Sequence, residues 1–157
     1  MQILVVCSGN ICRSPYAARY LVHRLDTLGK DGSEIDSAGI LGIMGSPPSP
    51  ETVQVAQELG FEVESHRSKG VTFDLVDEAD VILVMEELHR SSLVERYPEA
   101  EEKVHLLSEF HPAIKDPSRA PDIFDPIGLP LEEYQRCFSL VRDAVDGFLA
   151  SEHLPRD

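Results

Sequence analysis

The sequence predicts a single-domain, Rossmann-like α/β fold: a four-stranded parallel sheet flanked by helices, with a phosphate-binding loop directly after the first strand. Two observations predict this fold. Short apolar segments alternate with segments of helical periodicity, and the first apolar segment runs straight into a glycine-containing turn and a helix. The 157 residues contain no repeat, linker or low-complexity segment, so we expect one domain over residues 1–157.

Four apolar segments are the predicted strands. The first, Met1–Val6, contains the aliphatic run Ile3–Val6, which is typical of a buried parallel strand. The other predicted strands are Glu34–Ile40, Asp80–Met85 and Lys103–Phe110. Open parallel sheets bind ligands at the carboxyl ends of their strands, so we expect the functional site after the first strand.

Helices are predicted between and after these strands. The first has Ser14 as its N-cap and Pro15 at its first position, where the missing amide costs nothing, and it continues to Leu28. The later helices are predicted over Pro50–Leu59, Thr72–Glu78, Glu87–Tyr97 and Leu129–His153. The last of them has an apolar stripe that we expect to pack on the core, formed by Tyr134, Phe138, Val141, Val145 and Phe148.

The turn between the first strand and the first helix has the composition of an anion-binding loop. Gly9 and Asn10 readily adopt left-handed conformations, so the turn can curl with its amides pointing inward. The helix N-terminus attracts phosphate and favours a thiolate over a thiol. We expect Cys7 to be a nucleophile and Arg13 to clamp two phosphoryl oxygens. The alternative is that Cys7 is a small core residue and Arg13 a solvated charge.

The segment Val6–Pro15 resembles the signature of the low-molecular-weight protein tyrosine phosphatases. It has the Cys, a five-residue loop that contains Asn, the Arg and a following Ser-Pro in the same order. The resemblance implies the same architecture over essentially the full chain, and hydrolysis of phosphotyrosine through a cysteinyl-phosphate intermediate with no cofactor. It assigns phosphate binding to Ser8, Gly9, Asn10, Ile11, Cys12 and Arg13.

The family also implies a general acid in a downstream Asp-Pro pair, and Asp125–Pro126 matches that pair in position and order. Chemistry asks for such a group, because an acid that protonates the leaving oxygen eases its departure from phosphorus, and the resulting carboxylate can activate water. Asp-Pro pairs otherwise initiate turns, and we predict that role for Asp116–Pro117.

Three further positions match supporting residues of the family. Ser14 follows the loop, Ser37 lies in the second-strand segment that supports it, and His66 matches a histidine of the same hydrogen-bond network. A strained loop keeps its shape only if surrounding hydrogen bonds over-determine it, and the Ser14 hydroxyl can also donate to the Cys7 thiolate. The alternative for His66 is an ordinary surface residue.

Cys12 lies five residues from Cys7 around the curled loop. We therefore expect the two sulfurs to come within bridging range as a reversible disulfide that protects the nucleophile from over-oxidation. The resemblance implies the same switch. The alternative is that Cys12 only packs inside the loop.

The sequence departs from the family where the substrate is contacted. Many members carry one or two Tyr after the Asp-Pro pair, whereas this chain has Ile127–Pro130, and the facing loop Gly39–Pro48 also lacks an aromatic residue. An aliphatic rim still accepts a phenyl ring but loses about 0.5 to 1.5 kcal/mol of aromatic pairing. Relatives directed at phosphoarginine carry Thr at the position of Ile11, so Ile11 favours phosphotyrosine.

Composition excludes several function classes. The net charge of −14 makes nucleic acid a poor partner, and most of the acidic residues, which cluster within Asp74–Glu87 and Glu99–Glu102, are expected to be solvated. No apolar run predicts a membrane span, the N-terminus lacks the basic segment of a signal peptide, and the six histidines show no metal-ligand spacing. A thiolate enzyme needs a reducing compartment, so we expect a cytoplasmic location. The expected partners are phosphotyrosine-containing proteins, with a tyrosine kinase as one candidate.

Two other functions stay open at this point. An arsenate reductase can use the same Cys-x5-Arg loop, but its thioredoxin-coupled form needs two further cysteines. Cys137 alone remains, in the last predicted helix, so a small-thiol reductant would be required. The second is a phosphoprotein-binding module without catalysis, in which the nucleophile or acid would be replaced, whereas Cys7 and Asp125 are both present.

Overall fold

A computed structural model describes residues 1–30 and 32–154 of the chain. Four parallel strands form one sheet in the order β2-β1-β3-β4, which confirms the predicted sheet. They are β1 (Gln2–Cys7), β2 (Glu34–Gly39), β3 (Val81–Val84) and β4 (Val104–Leu106). Because β1 lies between β2 and β3, its carboxyl end is the switch point at which open α/β sheets bind ligands.

Among the described residues, five α-helices accompany the sheet: α1 (Arg13–Thr27), α2 (Pro50–Glu58), α3 (Phe73–Glu78), α4 (Glu87–Arg96) and α5 (Leu131–Leu149). The α5 helix is shorter than predicted at both ends. It starts after Pro130, which disfavours helical backbone at Leu129. It ends before His153, where the Ser151 hydroxyl donates to the Phe148 carbonyl at 2.6 Å. Within the described ranges, no helix combines the length and apolar character that a membrane crossing demands.

The predicted fourth strand, Lys103–Phe110, is wrong in its second half. β4 ends at Leu106, and Leu107–Phe110 forms a 3-10 turn. The Glu109 carboxylate accepts the amide of Leu106 at 3.3 Å and closes the turn, which packs against α5. An apolar run of this length does not by itself distinguish a strand from such a turn.

Two apolar cores cover the two faces of the sheet. Within Ile3–Val6 the odd-numbered residues face α1 and α5, and the even-numbered ones face α3 and α4. The predicted α5 stripe is buried, and Phe138 stacks on Tyr16 of α1 with ring centroids 3.9 Å apart. This packing fixes α1 against the sheet, and it thereby positions the loop that joins β1 to α1.

Candidate active site

The loop between β1 and α1 differs from its prediction where the helix starts. α1 begins at Arg13, so Ser14 is not its cap and Pro15 is not its first residue. The Ser14 hydroxyl has other partners: it lies 2.9 Å from Cys7 Sγ and accepts a hydrogen bond from Asn10 Nδ2 at 2.8 Å. Pro15 remains compatible with the helix because the first amides of a helix have no intrahelical acceptor.

Asn10 holds the loop in its curled form. Its φ of 58° is left-handed, whereas Gly9, for which we expected the same conformation, does not adopt it. The buried Asn10 amide group donates to the hydroxyls of Ser14 (2.8 Å) and Ser37 (3.0 Å), and its oxygen accepts the amide of Lys69 (3.1 Å). One side chain therefore ties the loop to α1, to β2 and to the segment after α2.

His66 reinforces the same residue from outside the loop. Its Nε2 lies 2.7 Å from the Asn10 carbonyl oxygen, and its ring is half-buried rather than free on the surface. Burial lowers the pKa of His66 despite this hydrogen bond. A neutral ring donates to the carbonyl through Nε2–H.

Cys7 lies at the base of the loop with 2% of its surface exposed. Its Sγ is 2.9 Å from the Ser14 hydroxyl and 3.3 Å from the Asn10 amide, two groups that can donate to a thiolate. The N-terminus of α1 adds positive potential. This arrangement can activate the sulfur as a nucleophile.

Arg13 is 1% exposed and is held at one end by the protein. Nη1 donates to the Glu86 carboxylate at 2.6 Å and to the Ile123 carbonyl at 2.7 Å. Nη2 faces the loop, 3.4 Å from Ser8 Oγ and 3.5 Å from the Asp125 carboxylate. Burial lowers the pKa of Arg13, but the negative groups around it raise it above its ordinary value. A fixed, charged guanidinium beside the loop can clamp an anion.

Glu86 and His89 complete the site, although the sequence pointed to neither. Most acidic residues were expected to be solvated, but the Glu86 carboxylate is the 2.6 Å partner of Arg13. His89 is 2% exposed, accepts the amide of Glu86 at Nδ1 (3.1 Å) and places Nε2 2.9 Å from Ser8 Oγ. Both residues follow β3, whose carboxyl end lies beside that of β1. Their position just after a neighbouring strand could therefore have indicated that they lie near the loop.

Asp125 lies at the mouth of the loop with its side chain 37% exposed. Oδ1 accepts the amide of Ile127 at 3.2 Å, and Oδ2 lies 3.5 Å from Arg13 Nη2. Asp116, in the other Asp-Pro pair, caps a 3-10 turn by accepting the amide of Ser118 at 3.1 Å. Of the two aspartates, Asp125 is the one placed beside the loop.

A cavity of about 120 Å³ opens above the loop. It is lined by Cys7, Ser8, Gly9, Ile11, Cys12, Arg13, Leu41, Ile43, Asp125 and Ile127. These residues include all the predicted phosphate-binding residues except Asn10, which is buried behind the loop. The lining has no aromatic side chain, as the sequence predicted. No cluster of metal-ligating side chains occurs in the parts of the chain that the structure describes.

Cys12 and Cys137 are buried thiols near this cavity. Cys12 lines the cavity, and its Sγ lies 3.5 Å from Ser49 Oγ. Burial raises the pKa of Cys12, and it raises the pKa of Cys137 to about 12. Cys137 Sγ donates to the Phe124 carbonyl at 3.4 Å, consistent with its predicted place beside the α5 stripe. Both sulfurs are therefore protonated at neutral pH.

The fold and the site together define an α/β protein whose first crossover carries a curled loop with a thiol at its base and a guanidinium beside it. The family model for low molecular weight phosphotyrosine protein phosphatases matches residues 2–157, and the chain belongs to this family of hydrolases.

Similar proteins match nearly the full chain. A protein-arginine-phosphatase of Geobacillus stearothermophilus is 35% identical over 145 residues, which are 92% of this chain and 91% of that protein. The low molecular weight protein tyrosine phosphatase of T. tengcongensis superposes with a TM-score of 0.86 at 35% identity, over 96% of this chain and 98% of that one. Vibrio vulnificus Wzb in complex with benzylphosphonate superposes with a TM-score of 0.81 at 33% identity, over 95% and 97%. Nothing in these comparisons points to an arsenate reductase.

Proposed function

We propose that this protein hydrolyses phosphotyrosine in protein substrates, with Cys7 as nucleophile, Arg13 as phosphoryl clamp and Asp125 as general acid. The observation that carries the proposal is that these three side chains line one cavity, with the thiol at its base and the carboxylate at its mouth. Membership of the phosphatase family supports the reaction class.

In the first step the Cys7 thiolate attacks phosphorus, so that an S–P bond forms as the bond to the tyrosine oxygen breaks. Asp125 gives its proton to the departing oxygen. Arg13 Nη2 is available to phosphoryl oxygens, because Glu86 and Ile123 hold the guanidinium through Nη1. The loop amides add further donors for the charge that develops in the transition state.

In the second step water hydrolyses the cysteinyl phosphate. The Asp125 carboxylate takes a proton from the water as its oxygen bonds to phosphorus, and the S–P bond breaks to release phosphate and the Cys7 thiolate. The hydroxyl of Ser14, 2.9 Å from the sulfur, donates to that thiolate as it leaves. Asn10, Ser37 and His66 support the loop through both steps by fixing its backbone.

The rim of the cavity supports an aryl phosphate as substrate. Ile11, Leu41, Ile43 and Ile127 line it, and the last three are exposed. Such side chains can contact both faces of a phenyl ring. Vibrio vulnificus Wzb, a similar protein, has been solved with benzylphosphonate, in which a single atom separates the phosphorus from a phenyl ring, as in an aryl phosphate.

Phosphoarginine is the second candidate substrate, because the Geobacillus stearothermophilus relative is a protein-arginine-phosphatase. A guanidinium group is polar and prefers carboxylates or aromatic faces. Among the residues that line the cavity, Asp125 is the only carboxylate and none is aromatic. The lining therefore favours phosphotyrosine over phosphoarginine.

The test is phosphate release from matched peptides that carry phosphotyrosine, phosphoarginine or phosphoserine, under reducing conditions. We expect selective turnover of the phosphotyrosine peptide by the wild type and none by Cys7→Ser. Asp125→Asn should lower turnover by about 10²- to 10⁴-fold, the usual contribution of a general acid. Asp116→Asn is the matched control, because it changes the other Asp-Pro pair, and it should keep wild-type turnover.

Three outcomes would contradict parts of this proposal. Preference for the phosphoarginine peptide would mean that phosphoarginine, and not phosphotyrosine, is the substrate. Equal turnover by Asp125→Asn and Asp116→Asn would mean that another group is the acid. Turnover by Cys7→Ser equal to that of the wild type would remove Cys7 as the nucleophile.

We also propose that the protein acts in the cytoplasm on phosphotyrosine proteins, a tyrosine kinase among them. A thiolate enzyme requires reducing surroundings, which supports this location.

We further propose that a reversible Cys7–Cys12 disulfide regulates the protein. Both thiols line the same cavity. Peroxide inactivation should be fully reversed by a dithiol in the wild type but not in Cys12→Ser. Equal recovery of the two proteins would disprove the switch.

A further inference from the structure

A buried histidine outside the proposed reaction steps contacts the loop. His89 lies in the first turn of α4 and is 2% exposed. Its ring joins two parts of the site: Nδ1 lies 3.1 Å from the amide of Glu86, and Nε2 lies 2.9 Å from Ser8 Oγ. A histidine so completely buried needs a partner at both nitrogens, and here one of those partners belongs to the anion loop.

The backbone contact determines which nitrogen carries the proton. The Glu86 amide can only donate, so Nδ1 must accept and cannot carry a hydrogen. The neutral ring then carries its proton on Nε2. The Glu86 carboxylate is 3.5 Å from Nε2, whereas Ser8 Oγ is 2.9 Å away, so the Ser8 hydroxyl is the better acceptor. Burial and the Arg13 charge lower the pKa of His89, which agrees with a neutral ring.

This donation leaves the Ser8 hydroxyl with one direction for its own proton. Its oxygen accepts from His89 Nε2 and faces a second donor, Arg13 Nη2, at 3.4 Å. The hydroxyl proton therefore points away from both donors. Ser8 lines the cavity above Cys7, so an acceptor held in that cavity can receive this proton.

We propose that His89 is a positioning residue for the phosphoryl group: its Nε2–H donates to Ser8 Oγ and thereby directs the Ser8 hydroxyl proton to a phosphoryl oxygen in the loop. The inference rests on the proposed function only in that the loop holds a phosphate. In this arrangement the Ser8 hydroxyl is a side-chain donor beside the loop amides, and the His89–Ser8 hydrogen bond links the loop to the start of α4.

Two amide substitutions, each of which can replace one of the two ring nitrogens, separate this role from a purely structural one. In His89→Gln the side-chain NH₂ can replace Nε2–H and donate to Ser8, but the acceptor for the Glu86 amide is lost. In His89→Asn the side-chain oxygen can replace Nδ1 and accept that amide, but the side chain is too short to reach Ser8. Calorimetric titration with inorganic phosphate measures the affinity of the loop for phosphate directly and needs no turnover.

We expect His89→Asn to weaken phosphate binding about tenfold, as for loss of one hydrogen bond to a charged group, and His89→Gln to stay within about threefold of the wild type. In a Ser8→Ala background His89→Asn should cause no further loss, because the hydroxyl it directs is absent. The control is His23→Asn, which changes a partly exposed histidine of α1 and should bind phosphate like the wild type.

Wild-type phosphate affinity in His89→Asn would overturn the inference. An equal loss with and without the Ser8 hydroxyl would overturn it too, since both results mean that His89 does not act through Ser8. If the wild type binds phosphate but releases none from phosphotyrosine peptides, the proposed function fails, and the calorimetric comparison still decides the role of His89.

Discussion

Among the single residues of the site, Glu86 is the one whose contact with Arg13 is hardest to predict from the sequence. It belongs to a run of acidic residues in a chain with net charge −14, yet its carboxylate lies 2.6 Å from Arg13 and its side chain is 24% exposed. Glu87, the next residue, is 58% exposed and lies 3.8 Å from Arg90. Two adjacent glutamates thus differ because one of them faces the loop.

This difference leads to a prediction for Glu86→Gln. The amide keeps a hydrogen-bond acceptor but loses the negative charge that holds Arg13, so we expect kcat/KM to fall about tenfold and the free energy of unfolding to fall by about 1 to 2 kcal/mol. Steady-state kinetics and urea unfolding measure the two effects. Glu87→Gln is the matched control and should change neither by a measurable amount. Equal behaviour of the two variants would show that the Arg13 contact contributes nothing.

At the scale of elements, the site depends on how closely β2 approaches the loop. Gly39 ends β2, and a Cβ at that position would lie 2.8 Å from the Ser8 carbonyl oxygen and 3.0 Å from the Asn10 amide nitrogen. Both contacts are to backbone, which cannot rotate away as a side chain can. A glycine at the end of the strand therefore allows the loop to rest on β2.

We predict that Gly39→Ala damages the loop more than the fold. The added methyl group must displace Ser8 or Asn10, so kcat/KM should fall more than tenfold, while the free energy of unfolding falls by about 1 to 3 kcal/mol. Gly147→Ala is the control for overpacking alone, because its Cβ would lie 1.8 Å from the Phe110 carbonyl oxygen at the contact of α5 with the 3-10 turn. It should lower stability at least as much and leave the kcat/KM of the folded protein near wild type. Loss of activity in Gly147→Ala alone would refute this assignment.

For the molecule as a whole, two buried histidines couple stability to pH. Burial lowers the pKa of both His66 and His89 below the ordinary value of 6.5. The unfolded chain therefore binds protons at a higher pH than the folded one, and the free energy of unfolding falls as pH drops below about 6.5. The charged groups that act on the two rings are Arg13, Arg19, Asp36, Lys69, Glu86, Asp122 and Asp125.

We expect the free energy of unfolding to decrease between about pH 7.5 and 5.5, and to decrease less in His66→Gln. In that variant the amide can still donate to the Asn10 carbonyl but does not titrate. Urea unfolding at several pH values measures both slopes. The carboxylates with lowered pKa, Glu62 and Glu109, titrate below their ordinary value of 4.5 and do not contribute in this range. Parallel slopes for the two proteins would mean that His66 does not contribute to the coupling.

The parts of the protein that could be predicted from the sequence have their chemistry in contiguous residues. The apolar run Ile3–Val6 indicates a buried strand, and Cys7 to Arg13 bring a thiol, a left-handed turn and a guanidinium together within one loop. The parallel sheet and the buried α5 stripe followed from periodicity. The proposed role of Asp125 came from the family resemblance and not from its local sequence, which an ordinary turn would share.

Other features depended on contacts between residues far apart in the chain. Ser14 was expected both to cap the helix and to donate to the Cys7 thiolate, and only the folded loop shows that its hydroxyl lies at the sulfur and caps no helix. Glu86 and His89 reach Arg13 and Ser8 because β3 pairs with β1 and both strands end at the same edge. A hydrogen bond across such a distance depends on sheet register and on burial, which arise when the chain packs. Local pattern thus specifies the loop and its thiol, and tertiary packing selects the groups that hold them.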